Sequence, residues 1–174
     1  MAEIPPVLRA LRPDEASHGY AVYLQAFAWL EAKGIRQWLI RYPEEKFMAR
    51  VLRGESFGLF VGGEVAVILA LALESSPYWL ETTGPNPVWW LSTIATASQF
   101  RGRQLGRYAI NAAVRRLSAA GADVVFLDCV DNRGALPALY QQEGFAALAR
   151  KPIRYPSGNT FPMVLMQRTV PRYG

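Results

Sequence analysis

Gln99-Phe100-Arg101-Gly102-Arg103-Gln104-Leu105-Gly106-Arg107 is the stretch on which the fold of this chain turns. Before it, Trp89-Trp90-Leu91-Ser92-Thr93-Ile94-Ala95-Thr96 is an apolar run that reads as a strand. After it, Leu105, Tyr108, Ala109, Ala112, Ala113 and Leu117 fall on one face of a helix. A strand, a glycine-bearing turn and a helix start suit an anion, because the first helical N–H groups have no partners of their own and the helix dipole is positive there. Arg101, Arg103 and Arg107 add permanent charge at the same place. The loop reads as a pyrophosphate cradle, although a tight turn leading into a solvated helix face would look similar on these residues alone.

The residues that follow extend the pattern. The helix stops at Gly121, Asp123 to Val130 reads as a second strand, and then come Asn132, a short helix containing Tyr140, and Gly144-Phe145. In this order the segment resembles the acyl-CoA-binding core of the GNAT superfamily of N-acetyltransferases. That family has Gln/Arg-x-x-Gly-x-Gly/Ala, a helix, a strand, an Asn, and a Tyr shortly before Gly-Phe. Gln99, Gly102 and Gly106 match it. Gln104 stands where Gly or Ala is usual, and Asn132 lies one residue further from Tyr140 than the commonest spacing, with Pro137 between them. The match covers about a third of the chain strongly and most of the remainder by order of elements.

The 174 residues suit a single GNAT-like acetyltransferase domain over 1–174. About half are apolar and 12% aromatic, a folding composition. The longest apolar run, Val65 to Leu73, is short of the roughly 20 residues a membrane helix needs. No signal-peptide core stands at the N-terminus, where Arg9 and Arg12 interrupt the apolar residues, so a cytoplasmic protein is expected. Cys129 is the sole cysteine, which excludes an intrachain disulfide and a multi-cysteine metal site, and no metal is expected. His18, the only histidine, reads as a partly exposed helical residue. Serine-hydrolase, zinc-peptidase and P-loop signatures are absent. The net charge of +5 admits nucleic acid, an acidic surface or an anionic cofactor. Nucleic acid is disfavoured because Trp and Arg do not interleave on one face, and the basic residues outside the loop alternate with acidic ones.

In chain order, Val7 to Leu11 reads as a strand, and a helix from about Asp14 to Gly34 has Tyr20, Leu24, Phe27 and Ala28 inward. A second helix from Glu44 to a Gly54 stop has Phe47, Val51 and Leu52 inward. Ser56 to Val61 and Val65 to Leu73 form a hairpin on Gly62-Gly63. Glu74 to Pro87 reads as a loop, and two last strands run from Phe145 to about Lys151 and from Phe161 to Arg168. The expected fold is α/β (α+β): a GNAT-like mixed, mostly antiparallel sheet of six to seven strands flanked by about four helices.

The resemblance implies acetyl transfer from acetyl-CoA to an amine, a small molecule or a peptide, by direct attack in a ternary complex, without membrane attachment. The backbone of Arg101, Gly102, Arg103, Gln104, Leu105 and Gly106 would hold the pyrophosphate, with the arginine side chains, Arg107 included, supplementing it. Ile94, Ala95 and Thr96 would pair with the pantetheine arm, and Asn132 would lie on the cofactor. A backbone N–H near Ile94 is the family-like oxyanion donor. Tyr140 would protonate the leaving thiolate, and Glu81 and Asp128 are candidate bases for the amine. Trp29, Trp38, Tyr42, Tyr78, Trp79 and Glu74 would border the acceptor, although aromatics that pack the helices onto the sheet, for the first three, and an ordinary connector, for the last three, read the same way. An acyl-CoA-binding module that performs no transfer is the alternative. The acceptor, the acyl length and the oligomeric state, a homodimer included, stay open.

Overall fold

Alternating apolar runs and turn glycines resolve into seven strands and five α-helices in the computed structural model, which describes residues 3–34 and 41–173. The strands form a mixed sheet in the order β1-β2-β3-β4-β5-β7-β6, with β4 and β5 parallel and the other described pairings antiparallel. Among the described residues the chain divides into two compact units, one of residues 3–34, 41–71 and 92–113, the other of 72–91 and 114–173.

In the first unit β1 (Val7–Ala10) leads through a short 3-10 turn, Pro13–Glu15, into α1 (Ala16–Ala32). Glu15 closes that corner: its carboxylate accepts from the Arg12 backbone N–H at 2.8 Å and from both Nη atoms of Arg9 at 2.7 and 2.8 Å. The inward stripe of α1 is Ala16, Gly19, Tyr20, Tyr23 and Ala26, with Val22 also buried. Ala28, expected inside, is exposed, and Leu24 and Phe27 are half-buried, because Tyr23 rather than Leu24 is the residue in register with Tyr20. The two phenols have a structural use. Tyr20 donates to the Tyr42 carbonyl at 2.7 Å, and the Tyr42 N–H donates to the Tyr23 hydroxyl at 2.6 Å, so both backbone groups at the entry to α2 (Glu44–Leu52) are satisfied. Phe47 and Val51 of α2 are buried as expected, but Leu52 is 67% exposed, since it follows Val51 round to the outer side of the last turn.

The hairpin of β2 (Ser56–Val61) and β3 (Glu64–Glu74) turns on Gly62 and Gly63, both at positive φ. Ala66 to Ala72 of β3 are buried without a break, so both faces of this strand are covered. Val67, Ile68 and Leu69 each contribute about 1.5–3 kcal/mol by leaving water. The unit also holds the later part of β4 (Val88–Thr96) and the start of α4 (Leu105–Ala119).

The second unit is built on β5 (Val124–Val130), β7 (Thr160–Thr169) and β6 (Ala146–Arg154), with α5 (Ala135–Gln142) between β5 and β6. Trp89 and Trp90 of β4 pair with Val125 and Phe126. The expected loop after β3 contains one helical turn, α3 (Leu80–Thr83), set by Trp79, whose carbonyl accepts from the backbone of Thr82 and Thr83. Trp79 itself is fully buried. Among the described residues no helix is long and apolar enough to cross a membrane.

Candidate active site

The glycine-bearing loop lies in the first unit. A 3-10 turn, Ser98–Phe100, buries Phe100, and the chain then passes Gly102 at φ +78° and Gln104 at φ +56° before α4 begins. Two left-handed residues in three turn the chain sharply into α4. Gln104 takes this conformation without the freedom of glycine, at a cost of about 1 kcal/mol. Tyr108 N–H makes the first bond of the helical ladder, to Gln104 O at 3.2 Å, so the amides of Leu105 and Gly106 precede the ladder. A Cβ at Gly106 would meet only Thr96 Oγ1, at 3.6 Å, and at Gly102 it would meet nothing within 4 Å. The bareness of this surface is therefore not required by packing within the protein. The arginines differ in their placement. Arg101 lies 4.6 Å over the Trp29 ring of α1 with one Nη buried and without a hydrogen-bond partner, and Arg103 lies 5.4 Å over Phe100.

Strand β4 carries a feature that its sequence hides. Thr93 stands at φ +53°, a conformation a β-branched residue rarely adopts, in the middle of a strand. The strand is kinked there, which re-aims the N–H and carbonyl groups of Ile94, Ala95 and Thr96. Ser92, just before the kink, is tied by its hydroxyl to Arg50 Nη1 of α2 at 3.0 Å, and Arg50 lies 5.3 Å over the Tyr42 ring. A small cavity beside the kink is lined by Thr93 with Tyr42, Phe47, Arg50 and Ser56. Trp38 lies outside the described residues.

In the second unit the residues around Asp128 converge. Strand alternation sends Phe126, Asp128 and Val130 to one side and Cys129 to the other. The β6–β7 register brings Lys151 and Ile153 to the Asp128 side. Trp79 Nε1 donates to Asp128 Oδ2 at 3.0 Å. The Tyr155 ring packs 5.1 Å from Tyr78 and 6.2 Å from Phe161. Asp128 keeps contact with solvent, yet the protein gathered round its carboxyl lifts it above the ordinary aspartate range; lost hydration is the chief cause, and the Trp79 hydrogen bond pulls the other way. Burial, then the charge of Asp128, then Tyr78 push the Tyr155 phenol far above its usual value. Among the described residues no cation pairs with Asp128.

Glu81 is in a different position. It is exposed and ion-paired with Lys151, and that hydrogen bond holds its carboxyl below the ordinary glutamate range. The Lys151 ammonium also sits 4.7 Å over the Trp79 ring. Cys129 is buried, and its thiol is pushed up to about 12 by burial first and by the charges of Asp128 and Asp131 next, which excludes a nucleophilic thiolate at neutral pH.

Tyr140 is buried on the inner side of α5 with Leu136 and Pro137, its ring edge-on to Phe145 at 6.2 Å. Pro137 falls in the first turn of α5, where a missing N–H costs no helical bond. The turn that delivers this helix is braced by Asp131, whose carboxylate accepts from Gly134 N–H at 2.9 Å and Arg150 Nη1 at 3.0 Å. Asn132 is half-buried within it, its carbonyl accepting from Ala135 N–H at 2.9 Å.

The first unit thus groups Ile94 to Thr96 with Arg101 to Arg107, and the second groups Asp128 with Trp79 and separately holds Tyr140 and Asn132. Tyr155 and the Thr93 kink were not anticipated from the sequence. His18 is exposed on α1 and lines a surface cleft of about 590 Å³ with Glu15, Gln25, Glu64 and Gln99. Among the described residues no three His, Cys, Asp or Glu side chains gather as metal ligands would.

Residues 23–145 match the model of the acetyltransferase (GNAT) family. No curated protein sequence matches the chain. Several solved structures share its fold. A GNAT-family acetyltransferase from Listeria monocytogenes superposes with a TM-score of 0.79 at 18% identity, over 97% of this chain and 99% of that one. One from Streptococcus agalactiae gives 0.80 at 15% identity over 99% of both chains. A putative acetyltransferase from Salmonella typhimurium, solved with its cofactor acetyl-CoA, gives 0.68 at 15% identity over 98% of this chain and 97% of the other.

Proposed function

This chain belongs to the GNAT acetyltransferase family and is an acyltransferase, and we propose that it moves the acetyl group of acetyl-CoA directly onto the amine of an acceptor in a ternary complex, its two units acting as one domain. The observation that carries the reading is the glycine-bearing turn that opens α4. It starts α4 at Leu105 and Gly106, ahead of the first helical bond from Tyr108 N–H, with a Gly106 whose missing side chain no protein packing demands. An anion fits such a surface, because N–H groups and the helix dipole act on it together. Gln104 contributes its backbone at φ +56° like the glycine usual there, with its exposed side chain turned aside from the protein.

The remaining roles follow from the chemistry. The Thr93 kink supports a strand edge at Ile94 to Thr96 that pairs with the pantetheine amide groups, and an N–H there is suited to the oxyanion. Asp128 takes one proton from the acceptor ammonium. Its raised carboxyl narrows the gap to an alkyl amine of pKa about 10.4. We assign the base to Asp128 and not to Glu81, whose carboxylate is engaged by Lys151 and held low. As the amine nitrogen bonds to the thioester carbon and the C–S bond breaks, Tyr140 O–H donates to the departing sulfur. The second nitrogen proton passes through solvent to the Tyr140 phenolate as the amide forms, so that CoA leaves as the thiol, and Asp128 releases its proton to solvent.

Initial-velocity kinetics test the mechanism. Varying acetyl-CoA at several amine concentrations gives intersecting double-reciprocal lines for direct transfer. Parallel lines, with an acetylated protein trapped in the absence of amine, refute it.

A further inference from the structure

Beyond acetyl transfer as such, the walls around Asp128 carry information about which amine is taken. We propose that this pocket selects a singly charged primary amine bearing an aromatic or alkyl group and no carboxylate beside its nitrogen. The inference rests on Asp128 meeting the acceptor.

Three observations lead there. The site has an anion with no cation paired to it: Asp128 is reached by solvent, its Oδ2 is occupied by Trp79 Nε1, and Lys151 on the same side is engaged by Glu81. A carboxylate in that position attracts an ammonium. The surroundings are aromatic: the tilted pair of Tyr78 and Tyr155, with centroids 5.1 Å apart, is continued by Phe161 and offers ring surface for the carbon next to the charge. Trp79 already accepts an ammonium on its face, that of Lys151 at 4.7 Å.

The third observation excludes zwitterions and polycations. Alternation along β6 sends Lys151 to the Asp128 side and Arg150 and Arg154 to the other. Lys151 is neutralised by Glu81, and Arg150 by Asp131. An amino acid would therefore set its own carboxylate near Asp128 with no free cation of β6 to receive it. Glu81, the other nearby carboxylate, is taken by Lys151, so a second ammonium on the acceptor gains little.

Calorimetry on protein saturated with CoA tests this, using 2-phenylethylamine, phenylalanine and spermidine as probes. Phenylethylamine is expected to bind at least about tenfold more tightly than phenylalanine and more tightly than spermidine. Asp128→Asn keeps the shape and still accepts from Trp79 Nε1, and it should weaken phenylethylamine by about tenfold to a hundredfold while CoA affinity is unchanged. Tyr155→Ala should weaken it independently. Phenylalanine or spermidine binding as tightly, no phenylethylamine binding, or an Asp128→Asn variant with wild-type affinity overturns the proposal. Turnover is scored separately. Discrimination without release of CoA from acetyl-CoA leaves the acceptor class standing and refutes the transfer reading; acetylation that favours phenylalanine does the reverse.

Discussion

Replacing Gly106 with alanine separates stability from binding at a single atom. Gly106 lies in the first turn of α4, and a Cβ built there touches only Thr96 Oγ1, at 3.6 Å, an ordinary van der Waals distance. The folded protein pays no steric penalty, while the unfolded chain loses freedom and the helix gains a better former. Gly106→Ala should therefore stabilise by about 0.5–1 kcal/mol, which for a protein of this size raises Tm by roughly 1–4 °C. Binding should move the other way. A phosphate seated on the first amides of α4 makes charge-assisted hydrogen bonds of about 1.5–3 kcal/mol each, and a methyl group among them displaces the oxygen from at least one. The expected loss is about tenfold to a hundredfold in CoA affinity. Differential scanning calorimetry with and without CoA reads both effects, because the ligand contribution to Tm shrinks as the apo Tm rises. An Ala variant that binds CoA like the wild type would refute the placement of the pyrophosphate on this turn.

Other substitutions probe the remaining roles. Asp128→Asn should lower kcat by about 10²–10⁴-fold and flatten the acidic limb of the kcat profile; that limb lies above the ordinary carboxylate range because the Asp128 carboxyl is raised, and activity rises with pH through it as the base deprotonates. Steady-state rates from pH 4 to 9 decide it. Tyr140→Phe should lower kcat by about 10²-fold with little change in KM for acetyl-CoA, whereas Tyr140→Ala should cost about 3 kcal/mol of stability by emptying the space beside Phe145; unchanged turnover in the Phe variant would make Tyr140 a packing residue only. Glu15→Gln should destabilise by about 1 kcal/mol at neutral pH. Glu15 is held down to about 2, so its contribution is present above the unfolded value of 4.5 and is lost as pH falls from there through 2. The melting difference between wild type and Gln variant should fade over that interval.

Much of this was legible in the chain itself. The strand, the glycine-bearing turn and the helix after it could be read because their signal is local: glycine spacing, a preceding strand and a following helical stripe all lie within Trp89 to Leu117. The hairpin on Gly62-Gly63 and the doubly covered β3 were legible for the same reason. What could not be read depends on tertiary neighbours. Thr93 at positive φ runs against its propensity, and only the strand around it holds it there. Tyr155, just past the end of β6, packs on Tyr78 from the segment before β4 and feels the charge of Asp128 on β5, neighbours that no spacing reveals. The one-turn helix α3 sits among prolines and forms under the buried Trp79, where composition alone reads as loop. Ala28 and Leu52 were assigned inward by period, and one-residue offsets turned both out to solvent.

Acetyl transfer to an amine is measured most directly by incubating the protein with acetyl-CoA and a panel of primary amines, following free thiol as CoA leaves and identifying the product by mass spectrometry. Thiol release that depends on the amine, matched mole for mole by an amine carrying one acetyl group and slowed about 10²-fold or more in Asp128→Asn, is the predicted result. Acetyl-CoA that binds tightly, stabilises the fold and is never consumed with any amine, or is lost equally fast without one, would contradict it.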